Sequence, residues 1–138
     1  MAEAENVMHR AAMWLTNHGI SLFGTRVLRV RGRKSGETRS TLVNVLRLDG
    51  QRYLVAPRGQ TQWVRNLRAA GEGELALGRR VEPIRAVELA DHEKPPLLRA
   101  YLERWGWESS QFFDGVTAKS SDEELLRAAP RHPVFRIS

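Results

Sequence analysis

Residues 26–57 read RVLRVRGRKSGETRSTLVNVLRLDGQRYLVAP, and this stretch decides the fold. From Arg26 to Arg31 the apolar residues Val27, Leu28 and Val30 are interspersed with arginine, the pattern of a half-buried strand. Gly32 to Thr38 is a polar, glycine-punctuated turn, and residues 39–48 predict a second strand. Asp49-Gly50 is the strongest short hairpin signal in the chain, and Gln51 to Pro57 supplies a third strand behind it. Three strands so close in sequence predict an antiparallel meander.

The flanks extend this pattern. Residues 3–18 predict a helix with Val7, Ala11, Met13, Trp14 and Leu15 on a broad apolar stripe. After the meander, 58–61 is a loop and Gln62–Ala70 a short helix, with Trp63 and Leu67 inward and Arg65 and Arg68 outward. Glu74–Gly78 and Val81–Leu89 predict two more strands, Pro83 marking an edge or a bulge. From Pro95-Pro96 the residues Leu97, Leu98, Tyr101, Leu102 and Trp105 recur at helical spacing, and Ser121 with Glu124 forms a capping box. His132–Ile137 closes as a strand. Without βαβ alternation or an internal repeat, the expectation is a mainly β, antiparallel barrel over one domain, 1–138, with helices at 3–18 and within 91–130.

Composition narrows the function. With 41% hydrophobic and 28% charged residues the chain is neither disordered nor membrane-spanning in character. No basic, then apolar, leader opens it, and it has no cysteine, so the expected address is cytoplasmic and thiolate chemistry is excluded. The net charge of +6 favours an anionic partner without choosing one. The four histidines, His9, His18, His92 and His132, lack metal-ligand spacing and read as surface or capping residues; no metal site is expected.

Two segments carry the chemistry. Arg31-Gly32-Arg33-Lys34-Ser35-Gly36-Glu37-Thr38-Arg39 gathers four cations and two hydroxyls around two glycines, a set suited to phosphates or carboxylates. It lacks the Gly-Lys pair of a P-loop. Ala56-Pro57-Arg58-Gly59-Gln60-Thr61-Gln62-Trp63-Val64-Arg65-Asn66-Leu67-Arg68 runs from a strand end into a helix N-terminus, where free N–H donors attract negative charge. Thr61 reads as its N-cap, Trp63 and Leu67 as core, and Asn66 as the polar residue hardest to assign to packing.

In their order and spacing these segments resemble the deazaflavin-dependent nitroreductase and quinone reductase family, split β-barrel oxidoreductases that use coenzyme F420. The resemblance runs from about Arg26 to the C-terminus and includes Phe112-Phe113-Asp114-Gly115 and His132-Pro133-Val134-Phe135. It implies an FMN-binding split-barrel-like fold. It also implies that Arg33, Lys34, Ser35 and Arg39 hold the coenzyme's phosphate and oligoglutamate tail. Ala56, Pro57, Arg58, Gly59, Gln60 and Thr61 would meet the deazaflavin ring through main chain, with Trp63 and Asn66 at the pocket floor. The reaction implied is hydride transfer to a quinone, a nitro compound or an activated alkene.

The sequence departs from the best-known members of that family. Its loop before the Trp helix is shorter, Val64 stands where a Tyr follows the Trp, and the acceptor-side tyrosines reduce to Tyr101, the weak candidate for a proton donor. Phe112, Phe113, Trp105 and Trp107 are the aromatic alternatives. The partners implied are a small-molecule acceptor and a second copy of the chain as a homodimer, with a bilayer surface if the acceptor is a quinone. The residues leave rival readings open: an FMN-binding split-barrel oxidoreductase, a coenzyme carrier without turnover, and a basic nucleic-acid-binding barrel. The last is disfavoured because Tyr53 is the sole aromatic on the first three strands, so nucleic acid is not an expected partner.

Overall fold

Alternation along each strand sends one set of side chains inward, and six antiparallel strands close around them. The structure is a computed structural model that describes residues 24–113 and 115–138, without the side chains of residues 107–110. The helix expected over 3–18 lies outside the described residues. The strands are β1 (Thr25–Arg31), β2 (Thr38–Leu48), β3 (Gln51–Val55), β4 (Glu72–Leu77), β5 (Arg80–Glu88) and β6 (Val134–Ile137), arranged as a closed barrel β1-β2-β3-β6-β5-β4. The meander of β1, β2 and β3 forms as expected, with positive φ at both Asp49 (51°) and Gly50 (77°) in the hairpin turn. Closure comes from β1 pairing β4 and β6 inserting between β3 and β5, which satisfies edges that would otherwise be open to other chains.

Leu28, Val30, Val43, Val45, Leu54, Leu75, Ile84, Phe135 and Ile137 fill the barrel. Helix α1 (Gln62–Ala70) packs Val64 and Leu67, both fully buried, into the same core, so it sits against the barrel interior. Helix α2 (Pro95–Ser109) lies outside β2 and β3, where Leu97, Leu98, Tyr101, Leu102 and Trp105 build a second core with Leu46, Val55, Val134 and Leu125 of helix α3 (Asp122–Ala128). The Ser121–Glu124 capping box is present in both directions, at 3.1 Å each way. Arg52 and Glu82 pair bidentately at 2.8 and 2.7 Å. That hydrogen bonding holds the Glu82 carboxyl below the usual carboxylate range, with Arg47 and Arg26 adding to it.

Several boundaries differ from the sequence expectation, each for a local reason. β3 stops at Val55 because the Ala56 carbonyl is drawn into a turn with Gly59. β4 begins at Glu72, since Gly71 in the left-handed region (φ 70°) ends α1 and turns straight into the strand. β6 starts at Val134, because a 3-10 turn over Ala129–Arg131 precedes it. Pro83 pairs with Glu74 of β4, in the part of β5 that β6 does not reach, so its missing N–H costs no ladder bond.

Candidate functional site

The fold brings the two chemistry-bearing segments together at one end of the barrel. Residues 32–37 form a tight β1–β2 turn, closed by Gly32 N–H donating to Glu37 O (2.8 Å) and Gly36 N–H to Gly32 O (2.9 Å). The Ser35 hydroxyl accepts from Glu37 N–H at 3.2 Å. Gly32 is buried, and a Cβ there would stand 3.1 Å from both Glu37 O and Ser35 Oγ, so only glycine leaves this turn undistorted.

Asn66 fastens the turn to α1. Its Oδ1 accepts from the main-chain N–H of Arg33 (3.1 Å) and from Arg33 Nη1 (2.8 Å), and Gln62 Oε1 accepts from the same Nη1 (2.9 Å). Asn66 is 5% exposed although polar, which fits an interior anchor. Arg33, Lys34 and Arg39 stay exposed, and none of them has a carboxylate partner among the described residues. Elsewhere Arg52, Arg68, Lys94 and Arg99 each hold a carboxylate at 2.6–2.7 Å. The turn, with Glu37 as its one carboxylate, is therefore a net positive patch without an ion pair among the described residues, as suits an anion site.

The second segment is a built turn rather than a loose loop. Ala56 O accepts from Gly59 N–H (3.2 Å), and Thr61 N–H donates to Gly59 O (2.9 Å). Pro57 stands at the second position and Gly59 at the fourth, as such turns favour. Gly59 has φ 81°, and a Cβ on it would meet Arg131 O at 3.0 Å. Arg58 lies over the ring of Phe112, 4.6 Å from its centroid.

Thr61 occupies the N-cap position of α1 but makes no side-chain cap bond, against the expectation from sequence. Its buried Oγ1 has no hydrogen-bond partner among the described residues. An orphaned hydroxyl beside the uncapped first turn of a helix fits a polar, electron-rich ligand. Together with the net positive turn 32–39, it suits a molecule carrying both a polar ring and anionic groups.

Trp63 is half-buried and packs against the barrel core, 6.1 Å from the ring of Phe135. Tyr101 is 2% exposed, 4.9 Å from Trp105 and 6.1 Å from Phe113, and its hydroxyl accepts from Asn44 Nδ2 at 3.3 Å. It thus stands in the core beneath α2. Phe113 and Trp105 are buried there too, so of the aromatic alternatives with described side chains only Phe112 flanks the loop.

Two residues escaped the sequence reading. Gln62 shares Arg33 with Asn66, which its place one turn before Asn66 on the helix would have signalled. His132, expected at the surface or at a cap, does stand at the C-cap of the 3-10 turn Ala129–Arg131, but it is 2% exposed and its ring reaches Ala56 O.

An open cleft of about 820 Å³ adjoins the turn through Arg31 and Thr38. Arg29, Arg31 and Arg85 line it together with the carboxylates Glu72 and Glu74, so its charge is mixed. Among the described residues no group of histidine and carboxylate side chains could hold a metal, and no helix is long and apolar enough to cross a membrane.

Comparison with known proteins bears on this site. The structure is similar to an F420-H2 dependent reductase, FDR-A (20% identity, 83% of this chain and 94% of that one, TM-score 0.54). It is similar to a structure described as a domain-swapped dimer (18% identity, 99% and 95% covered, TM-score 0.56). A FAD-binding protein from Mesorhizobium loti also shares the fold (17% identity, 93% and 86% covered, TM-score 0.50). No curated protein sequence matches the chain. The model of the F420H(2)-dependent quinone reductase family matches residues 6–111, a span that carries the basic turn, the Ala56–Thr61 loop and α1 but stops short of Phe112. The chain therefore belongs to the F420H(2)-dependent quinone reductase family and is a reductase that uses coenzyme F420.

Proposed function

We propose that the turn 32–39 and the loop 56–61 together form the coenzyme site, and that the hydride acceptor is a quinone. The observation that carries this is the net positive turn fastened by Asn66 and Gln62 to the helix that the loop leads into. Arg33, Lys34, Ser35 and Arg39 take the phosphate and the polycarboxylate tail by charge-assisted hydrogen bonds. The main chain of Ala56, Pro57, Arg58, Gly59 and Gln60 would hold the ring, with Thr61 Oγ1 as a further polar group at the end of the loop. Trp63 backs the loop from the core side. Asn66 acts at least through Arg33, since its oxygen accepts twice from that residue.

When bound and reduced, the coenzyme supplies a hydride to the acceptor. What this chain adds is position and exclusion of water. Orientation of this kind accounts for up to about 7–11 kcal/mol of a barrier in well-aligned systems. Phe112, half-buried against the second core with Arg58 over its ring, is the aromatic group beside the loop. Tyr101, buried with its hydroxyl accepting from Asn44, is a poor proton source, and solvent protonates the product in our reading.

The quinone assignment follows the family to which the chain belongs. The reading extends to a cytoplasmic homodimer that meets a bilayer surface when its acceptor is lipophilic. The test is turnover: loss of reduced F420 absorbance is followed with a soluble quinone, a nitroimidazole and an activated alkene in parallel. Quinone-dependent oxidation well above the other two supports the proposal. Turnover with the nitro compound or alkene alone refutes it.

A further inference from the structure

The loop 56–61 is held from a distant part of the chain, beyond the residues that the family model matches. His132 Nδ1 lies 3.3 Å from Ala56 O, across 76 positions of sequence. Its ring stacks on Phe113, with centroids 4.2 Å apart and planes at 21°. His132 is 2% exposed and Phe113 fully buried, so the imidazole has a fixed plane and a fixed height. Next to it Ala56 N–H donates to Pro133 O at 2.9 Å, and Gly59 sits against Arg131 O. The segment 131–133 thus grips the turn at both ends.

The carbonyl of Ala56 is the centre of this arrangement. A carbonyl can only accept, so Nδ1 must carry a proton to bond to it. The same oxygen also accepts from Gly59 N–H, the bond that closes the turn. Whatever orients Ala56 O therefore orients the peptide planes of Pro57, Arg58 and Gly59. We infer that His132 is a positioning residue, which sets the geometry of the coenzyme-facing turn through the Ala56 carbonyl while Phe113 sets the plane of its ring. This rests on the proposal that the 56–61 main chain lies along the coenzyme ring. Misplacement by about 1 Å can cost a hundredfold in rate, so a donor acting through one carbonyl is enough to matter.

Two substitutions separate the hydrogen bond from packing. His132→Phe keeps the stack on Phe113 and removes the donor; His132→Asn puts an amide donor near the Nδ1 position and shortens the ring. Three quantities are read on each full-length protein: exchange of the Gly59 amide without coenzyme, the F420 dissociation constant, and the single-turnover rate of hydride transfer to a quinone. With His132→Phe, Gly59 exchange accelerates about tenfold and the rate falls about tenfold to a hundredfold, while F420 affinity stays within about threefold because the basic turn is untouched. With His132→Asn, exchange and rate recover substantially even if the thermal midpoint falls below that of His132→Phe.

A wild-type exchange rate and turnover rate in His132→Phe overturns the inference. So does an Asn variant as slow as the Phe variant. A long-range 15N–1H spectrum of the wild-type protein tests the same point without a variant: Nδ1 of His132 carries a proton, and a bare Nδ1 refutes the bond. Failure of the wild-type protein to bind F420 removes the site reading and this inference together, whereas binding with an unaffected His132→Phe removes the inference alone.

Discussion

Replacing Asn66 by alanine removes two of the three bonds that fasten the basic turn to α1, leaving the one from Arg33 to Gln62. One donor is a main-chain N–H, worth about 0.5–1.5 kcal/mol net, and the other a guanidinium, worth about 1.5–3 kcal/mol. Arg33 is exposed and both of its donors can turn to water, so the larger part of that sum is recovered. A net loss of about 1–2 kcal/mol is the expectation, close to the factor of ten that 1.4 kcal/mol represents. If the turn binds only when docked, coenzyme affinity falls in proportion to the docked fraction, by at most about that factor. The assay pairs urea denaturation with F420 titration of wild type, Asn66→Ala and Asn66→Asp. Alanine should lose both stability and affinity. Aspartate keeps an acceptor for Arg33 and should keep stability, yet its charge should still weaken binding of a polyanion. An alanine variant that is less stable but binds F420 as tightly as wild type would refute the link between tether and site.

Other consequences are more local. Glu82→Gln should cost about 0.2–1 kcal/mol at neutral pH, as expected for a pair with an exposed carboxylate. The carboxyl is held below its ordinary value, so its contribution is complete above that value and is lost as the pH falls through the lowered folded one. Wild-type and Gln variant denaturation midpoints should converge in strong acid, and a constant gap at all pH values would contradict the pairing. Ser121→Ala removes one arm of the α3 capping box and should cost about 1 kcal/mol, measured by thermal denaturation, without affecting F420 binding.

The parts of this fold legible in sequence are those whose causes are local. Asp49-Gly50 dictates its own turn, and the apolar spacing of α1 locates Gln62–Ala70 without outside help. Ser121 and Glu124 are three residues apart and find each other in any helix that starts there. Asn66 stood out because a polar residue fell on the buried face of α1, next to Leu67. What it does could not be read, since its partner Arg33 lies 33 positions away.

The same limit explains the errors. β3 reads as continuing to Pro57 because nothing near Ala56 announces that its carbonyl turns aside to meet Gly59 and His132. Thr61 has the right identity for a cap, yet its hydroxyl is buried away from the helix amides it would serve. His132 reads as a surface or capping histidine, and its burial is not legible because it depends on the Phe113 ring, which arrives from beyond the end of α2. Closure of the barrel by β1–β4 pairing is likewise a long-range event that alternation alone does not reveal.

The most direct test of the central claim is a fluorescence titration of the protein with oxidised F420, and with FMN beside it, at two salt concentrations. Binding through the basic turn predicts saturable F420 association that weakens with salt. It should fall at least tenfold in Lys34→Ala and in Arg39→Ala, with little affinity for FMN. F420 binding that is unchanged in both variants, or FMN binding tighter than F420, would contradict the account.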